Sequence, residues 1–141
     1  MKSSIPVREQ ALLTLHLVDS SVWVGLFLDF DTQHAKAERF FSNLKGGIYL
    51  PYCVLNETVT VLAYKHSKKQ ADQFLNFVGR DHKIKLIEDN IEEESSFFKS
   101  LTARISFTDA ALLLLKRKLK ANLVTFDEQL ERLAKRDRFY A

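Results

Sequence analysis

The sequence is poor in most of the features that let small proteins fold or react by special means. One cysteine, Cys53, stands alone among 141 residues, so no internal disulfide can form and a reducing compartment suits the chain. Zinc finds no ligand set, because the four histidines are scattered and no CxxC or HExxH spacing occurs. Four glycines and two prolines are too few for a fibrous, low-complexity or linker-divided chain. Apolar stretches such as Ala110 to Leu115 are far too short to cross a bilayer. The beginning of the chain does not read as a secretory signal either. Lys2 and Arg8 flank polar Ser3 and Ser4, and the apolar patch from Ala11 to Leu17 runs into Asp19 with no small-residue cleavage site. A cytoplasmic protein is expected. GxGxxG, Walker A and GxSxG patterns are missing, which leaves nucleotide cofactors and serine hydrolysis without support.

What is present is globular: 46% hydrophobic and 28% charged residues in a chain of one-domain length. Residues 1–14 read as a polar, weakly patterned N-terminal tail and residues 15–141 as a single domain. The formal charge of +3 permits an anionic partner without demanding one. Basic residues gather at Lys65, Lys68 and Lys69, at Lys116, Arg117, Lys118 and Lys120, and from Arg132 to Arg138. Each cluster is either a solvated helix end, where cations favour the last turn, or a track for phosphates.

Short apolar runs alternate with helical patterns. Leu15 to Val18, Ile48 to Leu50, Ile84 to Ile87 and Leu123-Val124 read as strands. Between them lie helical stretches: Val22 to Leu28; Thr32, as a cap, to Leu44; Pro51, in the first turn, to Lys65; and a helix opened by Ser67 with Ala71, Phe74, Leu75 and Val78 as its apolar stripe. Asn90 caps a helix that begins Glu92-Glu93-Glu94, Ser106 opens another through Leu115, and Asp127 begins the last. Strands alternating with helices predict an α/β chain, a three-layer α/β/α sandwich with a short parallel sheet. In such sheets ligands bind outside the carboxyl ends of the strands, near the point where strand order reverses.

Acidic residues stand at those places. Asp19 follows the first strand directly, Glu57 sits in the helix after the second, Asp109 in the first turn of the helix before the fourth, and Asp127 just beyond the fourth. Asp19 and Asp127 also qualify as ordinary N-caps, and Ser106 to Asp109 and Thr125 to Glu128 as capping boxes. Glu57 is harder to assign to structure. Cys53, Val54, Thr60 and Val61 surround it at helical spacing and no Lys or Arg stands three or four residues away, so its charge calls for a cation. Four carboxylates form the oxygen-donor set that suits Mg²⁺ or Mn²⁺.

The segments Val18-Asp19-Ser20-Ser21-Val22-Trp23, Asn56-Glu57, Ser106-Phe107-Thr108-Asp109-Ala110-Ala111 and Val124-Thr125-Phe126-Asp127 resemble the successive motifs of PIN-domain ribonucleases. Their order, running from about Leu15 to Leu133, is similar to that of the VapC-type toxins of toxin–antitoxin pairs. The resemblance implies a Mg²⁺- or Mn²⁺-dependent endoribonuclease with Asp19, Glu57, Asp109 and Asp127 as catalytic, metal-holding residues. It also implies Ser20 and Thr125 as supporting hydroxyls, a homodimer, an RNA substrate and a small antitoxin partner. Two competing expectations stand beside it. Leu26 to Thr32 resembles the Asp-x-Asp-x-Thr motif of haloacid-dehalogenase-type phosphatases, with Asp29 as nucleophile and Asp31 as general acid. The other is a non-catalytic RNA-binding protein of the same fold. The eleven phenylalanines fall mostly on apolar helix faces and are expected in core or dimer packing rather than base stacking, and Cys53 is expected in the core.

Overall fold

Leu17 and Val18 are adjacent in the first strand, point to opposite faces of the sheet, and are both wholly buried. The sheet is therefore covered on both sides, as the sandwich requires. The computed structural model describes residues 14–136, so the expected tail falls almost wholly outside it. The elements run β1 (Leu15–Val18), α1 (Ser20–Phe27), α2 (His34–Ser42), β2 (Gly47–Pro51), α3 (Tyr52–Lys65), α4 (Lys68–Arg80), β3 (Ile84–Ile87), α5 (Ile91–Ser100), α6 (Phe107–Leu119), β4 (Asn122–Val124) and α7 (Glu128–Lys135).

All pairings are parallel and the spatial order is β3-β2-β1-β4. Register is set by Leu15 opposite Gly47 on one side of β1 and by Val18 opposite Val124 on the other. The chain moves outward from β1 to β2 and β3, then returns to place β4 on the other flank of β1. The reversal falls at β1 and β4, and the residues just beyond them are Asp19 and Thr125.

Helices α1 to α4 pack on one another, and α5 to α7 form a second group. Wholly buried Trp23 anchors the larger group, with ring centroids 4.9, 5.5 and 6.2 Å from Phe41, Phe74 and Phe77. The buried core is mostly aliphatic, with Trp23 and Phe74 its only aromatic members among the described residues, while Phe27, Phe40, Phe41, Phe77, Phe97 and Phe126 pack against it half-buried. Leu75 departs from its stripe and is exposed while Ala71, Phe74 and Val78 are buried. Phe30, Phe98 and Phe107 are exposed as well.

Local chemistry explains the ends of the helices. Ser67, Asn90 and Ser106 accept from the backbone N–H groups of Gln70, Glu93 and Asp109, which stabilises each first turn. Thr32 does not cap, since α2 opens two residues later with Gln33 at the N-cap. Pro51 closes β2 rather than opening a helical turn, with the extended ψ of 147° that precedes α3. Gly46 takes a φ of 97° at the turn into β2, a backbone region costly for other residues. Helix α6 continues four residues past the expected Leu115, and Lys120 ends it in the left-handed conformation, φ 52°. Among the described residues no helix is long and apolar enough to cross a membrane.

Candidate functional site

The end of β1 is tied to the end of β4 before any side chain takes part, because the Asp19 N–H donates to the Val124 carbonyl at 2.9 Å. The chain then turns into α1, and the Asp19 carbonyl accepts from Val22 and Trp23. Although Asp19 stands at the N-cap, its side chain makes no capping bond. Its carboxylate faces across the sheet instead, where Oδ2 accepts from Thr125 Oγ1 at 2.8 Å and from Ser21 Oγ at 3.0 Å. The capping alternative therefore fails for Asp19, which is 5% exposed and held by one tertiary hydroxyl, Thr125, and one local one, Ser21.

It holds for Asp127. There Oδ1 accepts from Leu130 N at 2.9 Å, making Asp127 the true cap of α7. Thr125 was a candidate for that cap, but its hydroxyl serves two other groups, donating to Asp19 and accepting from Asp127 N at 3.0 Å. One hydroxyl thus links two of the four acids.

Glu57 is brought to the same place by α3. Its Oε1 accepts from Ser20 Oγ at 2.6 Å, so the residue next to Asp19 fixes Glu57. Helical spacing predicts a shielded face for Glu57, yet the residue is exposed. Cys53, Val54, Thr60 and Val61 are helical neighbours but do not cover a carboxylate at the mouth of a cleft. Its need for a cation cannot be argued from burial.

Asp109 brings the four acids together electrostatically. Its carboxyl is pushed up to about 6, first by burial and then by the charges of Asp19, Asp127 and Glu57, against a hydrogen bond from Ser106 that acts the other way. Three carboxylates near enough to resist its ionisation define one acidic centre at the carboxyl ends of β1 and β4. The side chains that hold them are neutral hydroxyls, from Ser20, Ser21 and Thr125. Ser20 and Thr125 stand where the resemblance put them. Ser21 was not expected; it also accepts from Phe126 N at 3.1 Å.

These acids fit a hard divalent cation, since all four offer oxygen and no histidine or cysteine joins them. Among the described residues no three His, Cys, Asp or Glu side chains are close enough to grip an ion as they stand. Mg²⁺ is commonly held by one or two carboxylates with water and substrate oxygens, so these acids would be able to hold one without a complete protein cage.

A cleft beside the acids is lined by Ser20, Ser21, Asp31, Glu57, Lys65 and Phe126. Asp31 is therefore on the rim, its Oδ1 accepting from Gln33 N at 2.8 Å. Asp29 lies in the turn that follows α1, a helix rather than a strand, so the phosphatase motif lacks the strand end it needs. Of the basic clusters, Lys65 lines the cleft, while Lys68 and Lys118 are ion-paired to Asp72 and Glu93. Burial, with Asp89 and Glu94 nearby, pushes the Cys53 thiol up to about 12, which leaves it unreactive.

The Asp109 shift has a consequence in the metal-free protein. A carboxyl whose folded pKa is raised binds its proton more tightly when folded, so the stability it contributes is lost as pH rises from its ordinary 3.8 through about 6. In EDTA, Asp109→Asn should therefore melt above the wild type near neutral pH, and the gap should close toward about pH 4. Thermal melts across that range measure it. A variant that melts at or below the wild type at neutral pH would refute the electrostatic centre.

The PIN-domain family model matches residues 16–136. No curated protein matches the sequence significantly. Among solved structures, the VapC20 toxin of Mycobacterium tuberculosis, described as cleaving the sarcin–ricin loop, superposes with a TM-score of 0.76 at 22% identity, over 84% of this chain and 94% of that one. A VapBC2 structure from Rickettsia felis, bound to a DNA fragment from its promoter, gives 0.61 at 15% identity over 84% and 92% of the two chains. A protein of Pyrobaculum aerophilum gives 0.56 at 16% identity over 89% and 96%. At these identities the superpositions establish the α/β fold.

Proposed function

Because the chain belongs to the PIN-domain family, we propose that it is a Mg²⁺- or Mn²⁺-dependent endoribonuclease with Asp19, Glu57, Asp109 and Asp127 as its catalytic, metal-holding residues. The feature that carries this reading is the placing of Asp19, Glu57 and Asp127 around Asp109, whose carboxyl is raised first by burial and then by their charges. A centre of that kind, whose carboxylates accept only from hydroxyls and a backbone N–H, is short of positive charge.

A bound divalent ion supplies an activated water and stabilises the leaving oxygen of a phosphodiester. The chain's own residues prepare for it. Asp19 is immobilised by Thr125 and Ser21, and Glu57 by Ser20. Asp127 uses Oδ1 for its helix cap and keeps its other oxygen for the site. Asp109, whose carboxyl is raised by burial and by the charges around it, would hold a cation in its ionised form. Lys65 stands on the cleft wall beside Glu57, where it can meet a phosphate.

The same reading makes the protein the toxin of a toxin–antitoxin pair, acting as a homodimer and restrained by a small antitoxin. Its support is the likeness in fold to a loop-cleaving toxin and to a VapBC structure. A reducing, cytoplasmic setting accords with the single Cys53. Residues 1–14 would be an appendage to a nuclease domain spanning 15–141.

The test is cleavage of a mixed RNA substrate by purified protein with Mn²⁺ or Mg²⁺, against the same protein in EDTA. Cleavage should appear with the ion and stop on chelation. RNA that is bound but never cut under either condition would favour a non-catalytic binding protein. Hydrolysis of small phosphate monoesters that Asp29→Asn abolishes and Asp109→Asn spares would restore the phosphatase alternative.

A further inference from the structure

Phe126 and Lys36 connect the acid cleft to a second, basic groove. Phe126 lines the cleft, and it also lines a trough along β4 together with Lys36 and Phe40. Lys36 and Phe40 in turn line a groove with Thr14, His16, Arg39 and Lys45, at the start of β1. Shared residues thus make one path beside α2, from the carboxyl ends of the strands to their amino ends. The Lys36 ammonium lies 4.9 Å from the centre of the Phe126 ring, a cation–π contact that holds it at the junction.

The path is positively charged and uncompensated. Lys36, Arg39 and Lys45 are exposed, and Lys36 and Arg39 share a helix face at a spacing of three. The neighbouring carboxylates are engaged elsewhere. Glu38 lies 3.4 Å from His34, and Glu131, on the wall of the trough, is 3.3 Å from Lys135. Among the described residues none of the three cations has an ion pair. A polyanion running along the path can meet all three. The chain's own first thirteen residues have the wrong sign to cover it, with Lys2 and Arg8 against Glu9 alone.

Resting on the nuclease reading above, we propose that this trough and groove carry the RNA backbone away from the acid cleft, with Lys36, Arg39 and Lys45 facing successive phosphates. Phe126 is then a positioning residue that fixes Lys36 where the strand leaves the cleft. Each phosphate contact on a single strand releases counterions and adds about −0.7 to the slope of log affinity against log salt.

The experiment compares three full-length proteins: wild type, the groove triple Lys36→Gln/Arg39→Gln/Lys45→Gln, and a far, charge-matched triple that lines neither the groove, the trough nor the cleft, Lys85→Gln/Lys99→Gln/Lys118→Gln. Binding of a fluorescent single-stranded RNA is followed by anisotropy across a salt series in EDTA, where the strand stays intact and the acid cleft is common to all three. The groove triple should flatten the slope by about 2, from three lost contacts, and raise KM for RNA cleavage more than it lowers kcat. The far triple should leave both unchanged. Lys36→Arg/Lys45→Arg, which keeps the charges, should retain the wild-type slope and so exclude misfolding as the cause. A wild type that cuts RNA while the groove triple keeps its slope overturns the path. Equal losses in both triples overturn it too, by reducing the effect to net charge. A wild type that neither binds nor cuts RNA instead removes the nuclease reading, and the path with it.

Discussion

Asp19→Asn should leave the protein folded and reduce RNA cleavage on the order of 10²–10³-fold, the loss typical of one preorganised electrostatic group. The hydrogen bonds at this position make the test sharp. Thr125 and Ser21 both donate to the same Asp19 oxygen, so the amide oxygen of Asn can take over both while its NH₂ faces the cleft. What disappears is one negative charge. In EDTA that loss relieves repulsion among the acids, and the variant should melt at or above the wild type. Added Mn²⁺ should stabilise it less than it stabilises the wild type, because an ion that binds only the folded state acts by mass action. Asp127→Asn is the companion measurement. Asn caps a helix about as well as Asp, so α7 keeps its bond to Leu130 and the loss of cleavage reports the charge alone. Melts with EDTA and with a Mn²⁺ titration, beside cleavage rates, measure every part. If both variants cut RNA at the wild-type rate, the four acids are not the site.

Trp23→Ala should destabilise the fold by about 3–5 kcal/mol, the usual cost of emptying a large aromatic site, which lowers the melting temperature by on the order of 10–20 °C for a domain of this size. Trp23 is wholly buried and packs against Phe41, Phe74 and Phe77, so its removal opens the junction of α1, α2 and α4. Its indole Nε1 has no hydrogen-bond partner among the described residues. Trp23→Phe therefore forfeits packing volume but no polar contact, and should cost well under half as much. The effect reaches the chemistry because α1 begins at Ser20. A loosened α1 unsettles Ser20 and Ser21, and with them Glu57 and Asp19. Denaturant unfolding of the two variants separates the outcomes. Equal losses for Ala and Phe would mean that the ring edge, rather than the filled volume, anchors the helix.

Much of this was legible in the sequence because it is local. Four short apolar runs became the four strands. Ser67, Asn90 and Ser106 became caps because a side-chain oxygen two or three residues from an open N–H needs no tertiary help. Two of the four acids, Asp19 and Asp127, stand just beyond a strand end in the sequence, whereas Glu57 and Asp109 lie within helices. Spacing alone could not reveal what each carboxylate does. Asp19 and Asp127 look alike as N-caps, yet one caps and the other is drawn away by Thr125, 106 residues distant. Glu57 was assigned the wrong environment, because helical neighbours define a face of α3 but not whether another element covers it. Ser21 and Asp31 went unassigned to the cleft for the same reason. The Asp-Ser-Ser run was a visible signal for Ser21, while nothing in the local pattern brings Asp31 to its rim.

The sheet ends on one side in β3, whose four residues are Ile-Lys-Leu-Ile, and on the other in β4, only three residues long. An unpaired strand edge is a template on which a strand from another molecule can align, and long, flat, apolar edges are those that aggregate. β4 is too short to offer one. On β3, where Leu86 is 59% exposed, an exposed charge in mid-strand, Lys85, sets the cost of burying that edge against a neighbour. The colloidal behaviour of the protein thus rests in part on a lysine at the opposite edge of the sheet from its chemistry.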